Sequence, residues 1–239
     1  MPVGGSRVSF QTPVIRNQTP ATTGGQAQLS TTQAYFGPTS LYCDGAGDFV
    51  RTGTTGLEFT SGTPFTIESW FRSDGNWQAI GYNGVVGCGN THTSGGASIQ
   101  AIYVRNSSAT DFKVWWARGF NLVIAGNTQV AINTWHHCAV QRHANNLCEM
   151  YVNGVKQSST STQANTMGQN GGGYIGIFTN GTEAPFKGWI DEVRISNIAR
   201  YSGASFTLSN EPFQNDLNTI YLYHMDGASA SKNIVDDIT

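Results

Sequence analysis

The sequence predicts an all-β protein, an antiparallel sandwich or barrel, and three observations carry that expectation. The first is composition: of 239 residues, 29 are Gly and only 12% are charged, which suits many polar turns between short strands and argues against long helices. The second is the stretch from Phe186 to Ser196, where Ile190, Glu192 and Arg194 alternate with Asp191, Val193 and Ile195. Period two over that length describes a strand whose two faces meet different surroundings. The third is punctuation. Asp44-Gly45, Ser61-Gly62, Gly95-Gly96, Asn153-Gly154, Gly171-Gly172-Gly173 and Asn180-Gly181 separate short apolar runs at regular intervals.

Taken in order, the predicted strands are Ser40–Cys43, Phe49–Thr52, Phe65–Ser73, Gly84–Cys88, Ser98–Val104, Lys113–Ala117, His136–Gln141, Cys148–Val152, Tyr174–Ile177, Trp189–Ile195 and Ile220–His224. Along Phe65–Ser73, the parity of Phe65, Ile67, Ser69 and Phe71 sets them on one face and Thr66, Glu68, Trp70 and Arg72 on the other. Cys138, Val140, Cys148, Met150 and Val152 point inward by the same rule, leaving Glu149 and Tyr151 outside. Asn197–Tyr201 reads as one short helical turn. No internal repeat and no second domain are visible.

Residues 1–32 differ from the rest. They are rich in Gln, Thr, Pro and Gly and hold too few apolar side chains for a core. They read either as a loose tail or as an extended arm lying along a neighbouring subunit. In the second reading Val8, Phe10, Val14 and Ile15 are the docking residues, pairing with a partner's strand edge or filling its grooves. The folded domain then covers residues 33–239.

The net charge of -2 gives no electrostatic case for nucleic acid or an anionic membrane. No apolar run is long enough to span a bilayer as a helix, and the N-terminus lacks the apolar segment of a signal peptide. The expectation is a chain made in the cytoplasm without a leader. None of Cys43, Cys88, Cys138 and Cys148 forms a CxxC pair, so zinc is not expected. They read as small buried hydrophobes, with a Cys138–Cys148 cross-strand disulfide as the alternative.

Several motifs occur in the order of a known family. They are Gly37–Val50, Phe65-Thr66-Ile67-Glu68-Ser69-Trp70-Phe71, Trp135–Arg142, Met150-Tyr151-Val152-Asn153-Gly154, Gly188–Ile195 and His224-Met225-Asp226-Gly227. Together they resemble a laminin-G-like jelly roll of the concanavalin A-like lectin/glucanase superfamily, over residues 36 to 227. The ending, with Ala199-Arg200-Tyr201, Phe206-Thr207, Pro212-Phe213, Asp216, Thr219, Leu222 and Asp226-Gly227, is similar to the form found in structural proteins of tailed bacteriophages. The resemblance implies a two-sheet antiparallel jelly-roll sandwich. It also implies a virion surface protein, a capsid decoration or head or tail fibre component, whose partners are other virion proteins and further copies of itself.

Glucanases of this superfamily need two carboxylates flanking the scissile bond. Here Asp191 and Glu192 are adjacent and so fall on opposite faces of a regular strand, and the other Glu residues stand singly. The expectation is a protein that is not an enzyme. His136 and His137 likewise alternate, so they cannot share one ion, and no Gly-x-Ser-x-Gly elbow occurs.

The alternative function is a lectin module for host surface glycans. Trp77, Tyr82, Tyr103, Trp115 and Trp116 offer stacking faces, and the loops Asp74–Gln78 and Asn90–Thr93 offer polar rims. Trp77, Asn76 and Trp116 are the expected sugar contacts. The same aromatics can equally line the core or a subunit interface. No cofactor is required. The family resemblance implies a structural calcium near the meeting of the first and last strands, with Asp44 and Asp226 as carboxylate ligands. The competing reading is that each Asp caps its own turn.

Overall fold

The computed structural model describes residues 21–53, 56–75, 82–89, 92–93, 96–97, 100–106, 111–118, 121–168, 172–178, 184–235 and 237–238. Among them there is no helix. The strands are β1 (Thr22–Gly24), β2 (Gln28–Ser30), β3 (Ser40–Asp44), β4 (Phe49–Arg51), β5 (Phe65–Ser73), β6 (Tyr82–Cys88), β7 (His92–Thr93), β8 (Gly96–Ala97) and β9 (Gln100–Asn106). They continue with β10 (Phe112–Arg118), β11 (Asn121–Gln129), β12 (Trp135–Arg142), β13 (Leu147–Val152), β14 (Val155–Lys156), β15 (Ser161–Thr162), β16 (Gly173–Ile175), β17 (Lys187–Ser196) and β18 (Thr219–Tyr223).

One sheet runs β1-β4-β16-β6-β9-β10-β11. The other runs β14-β13-β12-β5-β17-β3-β2, with β15 added beside β13 and β18 beside β17. The two sheets are antiparallel and pack face to face as a jelly-roll sandwich. Alternation on β5 behaves as expected: Phe65, Ile67 and Phe71 enter the core, while Trp70 joins a separate outer cluster with Phe213 and Leu222. Cys138, Val140, Cys148, Met150 and Val152 also point inward, facing Val86, Ile102, Val104, Val114 and Trp116 of the opposite sheet. Each such aliphatic or aromatic side chain contributes about 1.5–3 kcal/mol through burial.

Four expectations are corrected. The boundary at residue 32 moves: β1 pairs with β4, β2 pairs with β3, and Ala27 and Leu29 are buried in the core. Leu29 also exchanges backbone hydrogen bonds with Ser231 and Ala230, both at 2.8 Å, so 21–32 belongs to the sandwich. Residues 1–20, with Val8, Phe10, Val14 and Ile15, lie outside the described residues.

β17 is not a regular strand. Its pairing with β5 slips between Asp191 and Arg194, and Glu192 sits at φ 52°. The extra residue is a β-bulge, which resets the alternation. Ile190, Val193 and Ile195 therefore all reach the core, although Ile190 and Val193 differ in parity.

Asn197–Tyr201 is not helical, because Thr66 holds it against the sheet edge: its Oγ1 donates to Ile198 O at 2.7 Å and accepts from Arg200 N at 3.1 Å. Finally, β11 was not expected. It is an edge strand with register shifts against β10, and its mixture of exposed, part-buried and buried side chains leaves no clean period. The Gln157 side chain caps it, accepting from the amides of Asn127 and Thr128, each at 2.9 Å.

All four cysteines are free and buried. Cys138 stands opposite Val152 and Cys148 opposite Arg142, four residues apart along the pair, or about 13 Å. No disulfide can bridge that gap.

Candidate binding face

The outer side of the β1-to-β11 sheet carries a second apolar cluster separate from the core: Ala101, Tyr103, Ala117 and Phe178, all buried, with the part-buried Trp115 and Ala184 packed against it. Strand parity places it there. Ile102, Val104, Val114 and Trp116 point inward, so Tyr103, Arg105 and Trp115 between them point outward. Register then assembles the face. Trp115 lies opposite Tyr103, and Tyr82 lies opposite Arg105.

Tyr82 is half exposed at 51% and meets Tyr103 edge-on at 5.1 Å. Tyr103 meets Phe178 at 6.0 Å and Trp115 at 6.3 Å. The Arg105 guanidinium lies over the Trp115 ring, 4.3 Å from its centroid, and 5.5 Å from that of Tyr82. Such a cation over an aromatic face is attracted by the ring quadrupole. Burial pushes the Tyr103 hydroxyl well up, reinforced by Tyr82 and opposed by Arg105, so it stays a neutral donor. Farther along, Arg51 lies over the Tyr174 ring at 5.9 Å. The strands of this sheet contain Arg51, Arg105, Lys113 and Arg118 and not one Asp or Glu.

Trp116, an expected sugar contact, is corrected: it is fully buried in the core, and Trp115 is the residue presented outward. Trp77 and Asn76 lie outside the described residues, as do Asn90 and Thr91. Arg105 was missed, although its parity with Tyr103 and its strand neighbour Trp115 could have found it.

The expected calcium pair does not come together. Asp44 closes β3 and caps its own turn, its Oδ1 accepting from Ala46 N at 2.7 Å. Asp226 packs at the other end of β3, beside the Thr39 amide, and a side chain on Gly37 (φ 62°) would strike it. Five residues of strand separate these ends, about 16 Å, so the two carboxylates cannot share an ion. Among the described residues, no three His, Cys, Asp or Glu side chains converge as metal ligands.

Asp191 and Glu192 were expected on opposite faces, but the bulge turns both outward, where each is occupied. Asp191 Oδ2 accepts from the amides of Tyr35 at 2.8 Å and Phe36 at 3.2 Å. Burial pushes its carboxyl up to about 8 against the pull of those amides. Glu192 accepts from Phe213 N at 2.7 Å and from His224 Nδ1 at 2.8 Å. His136 and His137 do face opposite sides. His136 packs near Phe71 and bonds Ala131 and Asn153, while His137 joins Trp70 outside.

The fold and this face together define a lectin-like β-sandwich. A family profile described as the concanavalin A-like lectin/glucanases superfamily matches residues 44–203, and the chain belongs to that superfamily. No curated protein sequence matches it. Among solved structures, the fold is similar to the enzymatically active domain of tailspike protein 2 from bacteriophage CBA120, with a TM-score of 0.57 and 9% identity. That likeness covers 81% of this chain and only 30% of the tailspike chain. Domain 4 of AbnA, a GH43 extracellular arabinanase from Geobacillus stearothermophilus solved with arabinotriose, has a TM-score of 0.53 and 19% identity, covering 80% of this chain and 85% of that one. The binding domain of Paraclostridial Mosquitocidal Protein 1 has a TM-score of 0.54 and 14% identity, covering 83% and 48%.

Proposed function

We propose that this protein is a non-enzymatic glycan-binding module carried on the surface of a tailed-bacteriophage particle, as a capsid decoration or fibre component. The observation that carries the binding role is Arg105 stacked over the part-buried Trp115 beside the exposed Tyr82, all packed on the buried Tyr103. Aromatic faces take the apolar side of a sugar ring, and a guanidinium adds hydrogen bonds to its substituents. Arg105 and Arg51 give this face positive charge, Lys113 being paired with Asp111 at 3.2 Å, and the preferred glycan is acidic.

Two points support a binding role over hydrolysis. A glycosidase needs two free carboxylates across the bond, and the strands of this face supply none. The adjacent pair Asp191 and Glu192 is spent on holding backbone amides and His224. The particle-surface role is supported by the phage-like ending of the sequence and by a tailspike among proteins of similar fold. In that setting residues 1–20 dock on a neighbouring subunit, and the assembly is a homo-oligomer.

The test is binding of the full-length protein to a panel of acidic and neutral host surface polysaccharides. Trp115→Ala and Arg105→Ala each lower affinity about tenfold or more while the protein stays folded, and added salt weakens the wild type. Absence of binding to every polysaccharide, or binding untouched by both substitutions, removes this reading.

A further inference from the structure

On the opposite side of the sandwich, the segment after β17 folds back over the outer face of the sheet that holds β5, β12 and β17. Beneath it lies a cavity of about 270 Å³ lined by Trp70, Arg194, Phe206, Leu208, Phe213 and Gln214, among others. This cavity shares no residue with the Trp115 face.

Each ring that walls it is held by a partner. Trp70 stacks on Tyr35 and Phe206 on Tyr201, both with centroids 3.7 Å apart, and the Arg194 guanidinium lies over Phe213 at 4.4 Å. The backbone amide of Phe213 is fixed in turn by the Glu192 carboxylate at 2.7 Å. Walls held this way lose little freedom when a ligand enters.

Two polar groups of opposite kind stand side by side in this apolar setting. Arg194 is 11% exposed, and its Nε and Nη2 are spent on Glu68 Oε1, each at 2.8 Å. Nη1 donates only to Gln214 O, at 3.3 Å, so among the described residues its second N–H has no partner. Gln214 is exposed at the same cavity, and its Nε2 donates to Pro212 O at 3.0 Å, which leaves Oε1 as an acceptor. Glu68 already balances the guanidinium, so an added anion would meet that carboxylate too, and the cavity favours a neutral ligand.

A donor, an acceptor and aromatic walls are the complement of a methyl-bearing amide. Its carbonyl accepts from Arg194 Nη1, its N–H donates to Gln214 Oε1, and its methyl packs against Phe206 and Phe213. The exposed polar mouth, with Thr207 and Ser209, suits a hydroxylated body outside. We propose that this cavity is a second binding site, taking the acetamido group of a neutral N-acetylhexosamine. The sugar part rests on the glycan-binding reading above, and the amide part stands on the cavity alone.

The experiment is saturation-transfer NMR on full-length protein with the methyl glycosides of N-acetylglucosamine and N-acetylgalactosamine. The controls are the methyl glycosides of glucose and galactose, which lack the amide, and N-acetylglycinamide, which lacks the sugar. At least one acetamido glycoside should bind about tenfold or more tighter than every control, with its acetyl methyl taking the strongest saturation. Gln214→Leu and Thr207→Trp, both at exposed positions, should each weaken it about tenfold or more at an unchanged melting temperature, and Trp115→Ala should leave it intact. No binding of either acetamido glycoside, equal binding of a control, or indifference to both rim substitutions overturns the proposal. Acidic polysaccharide bound without any acetamido glycoside removes this site and spares the Trp115 face. Acetamido glycoside bound without any acidic polysaccharide does the reverse.

Discussion

Arg142 lies with its guanidinium 5.3 Å from the centroid of the Phe65 ring, fully buried, and backbone carbonyls take the place of an acidic partner. Nε donates to Thr63 O at 3.0 Å, Nη1 to Asn165 O at 3.0 Å and Gln163 O at 3.3 Å, and Nη2 to Phe59 O at 3.1 Å, Thr63 O at 2.8 Å and Thr60 O. One side chain thus ties the loop before β5 to the loop after β15. Only the planar fork of Arg reaches so many acceptors at once. Arg142→Met strands these carbonyls and is expected to cost about 3 kcal/mol or more. Arg142→Lys recovers part of that. Urea midpoints at constant slope measure both, and a loss under about 1 kcal/mol for the Met variant contradicts the assignment.

Glu68 makes stability depend on acid. Burial opposes its charge, but the His137 hydrogen bond, the Arg194 guanidinium and the Tyr201 hydroxyl outweigh that, and the carboxyl falls from 4.5 to about 2. A carboxyl lowered on folding stabilises the folded state above its unfolded pKa. Its contribution, about 3 kcal/mol, is therefore complete above pH 4.5 and disappears as pH falls from there toward 2. Melting temperature recorded across that window should fall steeply. Glu68→Gln should melt lower at neutral pH, since it leaves Arg194 without its counter-charge, and should lose much of the acid slope. Equal slopes in both proteins would sink the claim.

The cysteines give a simple count. Burial pushes the thiols of Cys88 and Cys148 up to about 12 and raises those of Cys43 and Cys138 as well, so the native protein should react slowly with a thiol reagent. Denatured without reductant, the chain should release four thiols. Two would mean that a disulfide forms after all.

How far the sequence speaks for the structure can be seen residue by residue. Period two placed Phe65, Ile67 and Phe71 inside because each also had a polar or aromatic neighbour suited to the outer layer. The same rule failed on β17, since a bulge adds one residue without changing composition, and Glu192 looks like any other polar position. It gave no sign of Arg142's burial either, because the acceptors are backbone atoms from distant loops. Between Trp115 and Trp116, sequence showed only that one ring goes each way. Val114, in parity with Trp116, was the clue to which one enters the core.

The N-terminal boundary can be tested by two truncations. Removing residues 1–20 should leave the melting temperature intact, while removing 1–32 deletes β1, β2 and the buried Leu29. Loss of the Leu29 side chain alone is worth about 2–5 kcal/mol, or several degrees at about 2–4 °C per kcal/mol. The native mass of residues 21–239 beside the full chain then tests docking through Val8, Phe10, Val14 and Ile15. A multimer that becomes a monomer supports the arm. An unchanged multimer excludes it as the assembly device.

The adjacent tryptophans separate binding from folding most directly. Trp116 is fully buried among core residues, 6.5 Å from the Phe65 ring, whereas Trp115 faces outward beneath Arg105. Trp116→Ala should cost about 3–5 kcal/mol by leaving a large cavity, and any loss of glycan affinity should track the unfolded fraction. Trp115→Ala removes a part-buried ring outside the main core and should cost far less, about 1 kcal/mol, while lowering affinity. Denaturation and binding curves on the same two samples decide the matter. If Trp116→Ala binds poorly while fully folded, or Trp115→Ala binds as well as wild type, the sugar does not lie on this face.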